Sequence, residues 1–248
     1  MNTSFWNKAT LYIYVNELAS SLNITEDDFP VNAEYLARKH CNNVTIEQVP
    51  FPSADICGIL YKGSRSTSIA LNASRSDAMR NFDCMHELIH YFFHDIEDRQ
   101  YICFASGDSG ESSIVQDSYV EWQANEGAAQ FLVPYEKLLP LIKKRKHDMD
   151  SQTGICSLRK DLACTFNVTE DVIRVRLESL KYEIHQYLNG CGLDKIHILS
   201  AKKQNEKGIT VKSLNNIAID RMHTRFEYEL VSESEKELLD DLKFGFGF

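Results

Sequence analysis

No run in this 248-residue sequence approaches the roughly 18 consecutive apolar residues that a membrane-spanning helix needs, so no membrane association is expected. Cationic charge is also in short supply. Lys and Arg total 27 against 36 Asp and Glu, a formal net charge of -9, whereas a phosphate-binding surface needs the opposite balance. Direct nucleic-acid binding is therefore not expected, and the basic run Lys143-Lys144-Arg145-Lys146-His147 reads as a solvated helix end. A secretory leader is not expected either: the start lacks a basic segment, and the apolar run Leu11 to Val15 is too short. The seven cysteines are odd in number, irregularly spaced and free of any CxxC pair, so they do not outline a disulfide framework. They read as reduced thiols of a cytoplasmic protein, with Cys84 a small buried hydrophobe. No internal repeat occurs.

What is present suits a globular chain with a sizeable core: 43% hydrophobic and 25% charged residues. Leu11, Val15, Leu18 and Leu22 recur at helical spacing over 8–22, and 31–41 reads as a second helix with Val31, Tyr35 and Leu36 inward. The pattern then changes. Val44 to Val49 reads as a strand stopped by Pro50 and Pro52, and Ile56 to Lys62 as another. Gly63-Ser64-Arg65-Ser66 supplies turn residues, and Thr67 to Asn72 reads as the returning strand of a small antiparallel sheet. An exposed strand beside a site can hold an extended peptide through its main chain.

A helix capped by Ser74 or Ser76 runs on to near Asp95 and is apolar nearly all round, so it should be buried. It carries His86-Glu87-Leu88-Ile89-His90. Positions i and i+4 share a helix face, so His86 and His90 can reach one metal ion, and Glu87 can take a proton from a water that the metal activates. His94 continues that face one turn on and reads as a supporting residue. Residues 96–117 are polar and turn-rich, in the manner of a lid or a linker. Next, 119–134 forms a helix ended by Pro134, with Ala124, Ala128 and Ala129 allowing close approach to a neighbour. A catalytic zinc commonly takes two His and one Glu. Glu121 and Glu126 both lie on this helix, on different faces, and helical geometry alone does not say which one meets the metal.

Beyond it, Tyr135 to His147 reads as a loop and a short helix restarted at Pro140. Leu158 to Phe166 and Glu170 to about Tyr182 read as helices capped by Ser157 and Thr169 around the tight Asn167-Val168 turn. The pair resembles a helix-turn-helix, and the acidic chain favours a packing role for it. Lys195 to Leu199 and Gly208 to Val211 read as short strands, and Ser232 to Leu242 as a capped amphipathic helix.

Several of these stretches together resemble the ImmA/IrrE family of zinc-dependent metallo-endopeptidases. Phe82, His86-Glu87-Leu88-Ile89-His90 and His94 resemble the family's F-x-x-x-H-E-L-G-H-x-x-x-H run. Glu121-x-x-Ala124-Asn125-x-x-Ala128, with Leu132-x-Pro134, resembles its E-x-x-A-N-x-F-A…L-x-P helix. Leu162-Ala163-x-x-Phe166-x-Val168-Thr169, with Arg176-Leu177 after it, is similar to the segment that follows. Two positions depart from the pattern: Ile89 stands where Gly is usual, and Gly127 where Phe is usual. The resemblance spans about residues 30–185. It implies an α+β, zincin-like metallopeptidase domain, mostly helical with a small antiparallel sheet, over 1–189, leaving 190–248 as a C-terminal extension. It implies Zn2+ held by His86, His90 and Glu121, with Glu87 as general base, and so favours Glu121 over Glu126. It implies an intracellular protease whose partner is a helix-turn-helix repressor of a mobile element or stress response. The strand Ile69-Ala70-Leu71-Asn72 is the candidate for aligning substrate, and Tyr91, Tyr101 and Tyr119 are candidate oxyanion donors. Two rival readings are a zinc-bound module that sequesters a repressor without cleaving it, and a DNA-binding regulator using Leu158 to Leu177.

Overall fold

A computed structural model describes residues 6–53, 55–63, 66–94, 99–104 and 118–216. Among them the contacts separate two compact units, Met1–Pro134 with Ala163–Val172, and Tyr135–Leu162 with Ile173–Phe248.

The first unit opens with helix α1 (Lys8–Ser21), capped by the Asn7 side chain, which accepts a hydrogen bond from the Thr10 amide. Leu11, Tyr12 and Val15 form its buried stripe. Helix α2 (Ala33–His40) buries Ala33, Leu36 and Ala37, which leaves Tyr35 63% exposed. The inward placement expected of Tyr35 is thus corrected: it lies between the i, i+3, i+4 positions that make the stripe.

Four strands follow: β1 (Val44–Val49), β2 (Ile56–Lys62), β3 (Thr67–Asn72) and, after the next helix, β4 (Arg99–Phe104), in sheet order β1-β3-β2-β4. The β2–β3 and β2–β4 pairs are antiparallel, as expected of a small antiparallel sheet, but β1 pairs with β3 in parallel. β1 and β2 are not paired as a hairpin; β3 lies between them. Residues 99–104, read as part of an irregular connection, are a strand; the rest of that connection lies outside the described residues.

Helix α3 (Asp77–Phe93) packs on β2 and β3 and against α2 and α4 (Ser118–Leu132), and α1 packs on α4. Of the two candidate caps, Ser76 is the one used; its hydroxyl accepts from the Met79 amide. Asn81 fixes the buried side of α3. Its Oδ1 accepts from the Ala33 amide, and its Nδ2 donates to the carbonyls of Val31 and Asn167, both at 3.0 Å. Three partners satisfy most of that amide's capacity, so α3 is held in register with α2.

The second unit contains α5 (Tyr135–Lys144), the greater part of α6 (Gln152–Phe166) and of α7 (Glu170–Ser179), then α8 (Lys181–Leu188) and α9 (Ala201–Glu206). Helix α5 runs through Pro140 rather than restarting there. Between α6 and α7, Asn167 adopts φ 51°, and Thr169 accepts from the Val172 amide as its expected capping role requires. The helix expected over Glu170 to Tyr182 breaks after Ser179. Lys195 to Leu199 and Gly208 to Val211 are not strands; neither has a pairing partner among the described residues. The expected helix Ser232 to Leu242 lies outside the described residues. No described helix is long and apolar enough to cross a membrane.

Candidate metal centre

Helical spacing puts His86 and His90 one turn apart on α3, and the surrounding core leaves each no more than 1% exposed. Their Nε2 atoms are 3.0 Å apart. Glu121, in the first turn of α4, faces them, with one carboxylate oxygen 3.4 Å from His86 Nε2 and the other 3.1 Å from His90 Nε2. All three donors lie within 4.8 Å of one another. Zn–N bonds of about 2.0–2.1 Å in tetrahedral geometry place neighbouring donors about 3.3 Å apart. The three observed separations bracket that value, so the residues fit a zinc-sized ion.

The rival carboxylate is engaged elsewhere: Glu126 accepts a hydrogen bond from the Tyr12 hydroxyl of α1. Glu121 and Glu126 thus point to different neighbours, as five positions on a helix require.

The ring nitrogens turned away from this cluster are also held. His86 Nδ1 lies 3.1 Å from Asn125 Oδ1, and His90 Nδ1 lies 2.9 Å from His94 Nδ1. His94 Nε2 is 2.9 Å from Gln123 Oε1, the Gln123 amide donates to the Tyr119 hydroxyl at 3.0 Å, and that hydroxyl donates to the Trp6 carbonyl. If His90 Nε2 is to offer a lone pair to a metal, its proton sits on Nδ1 and is donated to His94. The proton of His94 is then on Nε2 and is donated to Gln123. One requirement at the centre sets the hydrogen-bond direction as far as Trp6. His94, expected as a supporting residue, occupies that position.

Charge follows from burial and pairing. Burial opposes a proton on His86, but the hydrogen bond to Glu121 and the negative charges of Glu87 and Glu121 outweigh it and raise its pKa. His90, buried and beside His86, falls to about 3 despite its contact with Glu121. For Glu121, burial favours the neutral form, yet the two imidazoles hold its carboxyl well below the usual range. A metal ion bound at the cluster would compete with the additional proton that Glu121 favours on His86.

Glu87 is fully buried beside the cluster, and neither carboxylate oxygen has a hydrogen-bond partner. Burial pushes its pKa up to about 8. Its Oε1 is 3.2 Å from where a β-carbon would stand at Gly58, so the bare glycine in β2 makes the room for it. An unpaired buried carboxylate is costly and marks a candidate functional group.

The chain matches a family model described as the IrrE N-terminal-like domain over residues 40–178, more than half its length. The chain belongs to the IrrE N-terminal-like peptidase family. The matched stretch contains the His-Glu-x-x-His turn, Glu121 and the α6–α7 junction, in agreement with the resemblance to ImmA/IrrE proteins. No curated protein sequence matches the chain. A solved structure described as a Mycobacterium tuberculosis transcriptional regulator is similar over 69% of this chain at 16% identity, with a TM-score of 0.43. The chain spans 47% of that protein's length.

One expectation for the IrrE-like site is corrected. Ile69, Ala70, Leu71 and Asn72 lie on β3, which is paired on both sides, by β1 and by β2. Its main chain has no open edge at which to receive a peptide, and the Asn72 side chain donates to the Ile56 carbonyl instead. Of the tyrosines, Tyr119 has its hydroxyl committed to Trp6 and Gln123, and Tyr91 lies under the Lys62 ammonium, 5.6 Å from its ring centre. The side chain of Tyr101 lies outside the described residues. Sequence reasoning gave no role to Gln123, Asn125 or Gly58. Asn125 left a signal as the Asn of the E-x-x-A-N resemblance, and Gly58 as a break in an otherwise β-prone run.

Proposed function

We propose that this chain is a zinc-dependent endopeptidase acting on a protein substrate, with a helix-turn-helix transcriptional repressor as the expected substrate class. The observation that carries this reading is the convergence of His86 Nε2, His90 Nε2 and the Glu121 carboxylate beside a buried, unpartnered Glu87. A zinc ion held by those three residues supplies Lewis acidity, which polarises a carbonyl and brings the pKa of water down to roughly 7. Glu87 accepts the proton of the attacking water on its carboxylate. Burial raises the proton affinity of that group, and the positive charge of a bound zinc would favour its ionised form. Glu87 can therefore take a proton and return it to the departing amine near neutral pH. Asn125 and the His94–Gln123–Tyr119 chain keep the two imidazoles oriented throughout.

Glu87→Gln keeps the shape and removes the base. With the repressor-like partner as substrate, this variant is expected to retain one zinc per chain and to lose roughly a hundred-fold or more of the cleavage rate. If wild type and variant relieve repression equally while both hold zinc, the chain acts by sequestering its partner and hydrolysis is not its function.

A further inference from the structure

The β2–β4 pairing is irregular at one place, and two cysteines meet there. Ile56 pairs with Phe104 and Gly58 with Cys103, so Cys57 is the extra residue of a β-bulge. A bulge re-aims the side chain it adds. Gly58 turns its bare α-carbon toward Glu87, and Cys103, directly opposite Gly58, shares that face. The thiol of Cys103 lies within 4.8 Å of both a Glu87 carboxylate oxygen and a His86 ring nitrogen. Cys57 meets it at the bulge closely enough for each thiol to alter the other's proton affinity, while the Cys57 thiol also donates to the Asp55 carbonyl at 3.8 Å. Both are free, Cys57 buried and Cys103 partly exposed.

We propose that Cys57 and Cys103 form a peroxide-oxidisable pair that closes to a disulfide against the Glu87 carboxylate. Directly opposed residues of antiparallel strands have α-carbons about 4.5–5.5 Å apart, within the roughly 4.4–6.8 Å that a disulfide spans. The bulge leaves Cys57 one residue from that register. The contact with Cys103 pulls the Cys57 thiol below its usual pKa, so Cys57 is the sulfur that reacts first. Its thiolate attacks one oxygen of a hydroperoxide, an S–O bond forms, the O–O bond breaks, and the departing oxygen leaves as water or alcohol. Cys103 then attacks the sulfenic sulfur, the S–S bond forms, and the hydroxyl leaves as water. Two thiols lose two electrons, and the peroxide gains them.

Closure brings the two sulfurs to about 2.05 Å and draws β4 toward the bulge, beside Glu87. The resulting loss of cleavage rests on the peptidase reading above; the bond itself does not.

The test treats the zinc-loaded full chain with hydrogen peroxide, traps free thiols by alkylation and maps the peptides by mass. Cys164, exposed, reports that oxidant was present. The expected result is a Cys57–Cys103 linked peptide lighter by two hydrogens and restored by dithiothreitol. In Cys57→Ser the link is absent and Cys103 stays alkylatable at doses that link the wild type. Oxidation of Cys164 with no such link overturns the proposal, whatever happens to activity. In the cleavage assay the linked protein is expected to be roughly ten-fold or more slower, reversibly, because an ångström of misplacement at a catalytic group is that costly. Undiminished cleavage by fully linked protein overturns the regulatory half. If the reduced protein cleaves nothing, the peptidase reading fails, and the linked peptide supports the redox site by itself.

Discussion

Ile89 lays its side chain on the bare α-carbon of Gly127: a β-carbon there would stand 3.1 Å from Ile89 Cγ2 and 3.4 Å from two further Ile89 carbons. These are the two positions at which the chain departs from the family's motifs, which carry Gly and Phe respectively. The departures face each other across the α3–α4 contact. Bulk stands on one helix rather than the other with the space between them kept filled, so Ile89 is accommodated within the His86–His90 turn.

The exchange predicts strong coupling. Gly127→Phe alone overpacks the contact and is expected to cost about 1–3 kcal/mol. Ile89→Gly alone leaves a cavity and is expected to cost at least the roughly 2–5 kcal/mol of truncating Ile to Ala. The double variant, which restores the family pair, is expected to be more stable than the sum of the singles by about 0.5–3 kcal/mol in denaturant melts. Simple additivity would mean the two sites are independent.

Metal content should separate the two candidate carboxylates. Glu121→Gln is expected to lose stoichiometric zinc, while Glu126→Gln keeps it, because Glu126 is turned to Tyr12. Elemental analysis of both purified variants checks this. Zinc retained without Glu121 would remove that residue from the centre.

The helices around the centre were legible from local signals: Leu11 and Val15 at helical spacing mark α1, and Ser76 with a nearly all-apolar run marks α3. His86 and His90 were legible because a helix fixes the separation of i and i+4 whatever surrounds it. Strand neighbours were not. Whether β3 lies at an edge depends on pairing between Val44–Val49 and Thr67–Asn72, more than twenty residues apart, and alternation says nothing of that. β4 was missed for the same reason. Its place in the sheet comes from pairing with β2, on the far side of α3 in sequence. Helical spacing left Glu121 and Glu126 open, and only the family resemblance favoured the first. That Tyr12 of α1 engages the second is a tertiary contact that spacing does not carry.

Stability of the metal-free protein should respond to pH through Glu87. Its folded pKa, about 8, lies above the ordinary 4.5, so the folded state keeps a proton that the unfolded state has released. Its contribution is therefore fully present below pH 4.5 and is lost as pH rises to 8, at up to roughly 1.4 kcal/mol per pH unit. Glu87→Gln, neutral throughout, lacks this loss. Its stability relative to wild type is expected to grow between about pH 5 and about pH 8, by several kcal/mol in melts with chelator present. A gap that does not change with pH would show that burial does not keep Glu87 protonated.

The hydrogen-bond chain from His90 to Trp6 makes a prediction that packing alone does not. Gln123 accepts from His94, which in turn accepts from His90, so the far end of the chain favours the His90 tautomer with a free Nε2. Gln123→Met keeps the buried volume and removes the acceptor. It is expected to weaken zinc binding about 10- to 100-fold in competition with a chromophoric chelator. Gln123→Glu keeps an acceptor at the same place, and a carboxylate accepts from the His94 N–H more strongly than an amide. Its zinc affinity is expected to match or exceed that of the wild type, even though burying the charge lowers the melting temperature. Equal losses in the two variants would reduce Gln123 to a space-filling residue. A loss confined to the Met variant, with the fold intact by circular dichroism, would establish that the orientation of His90 is set from the His94 side.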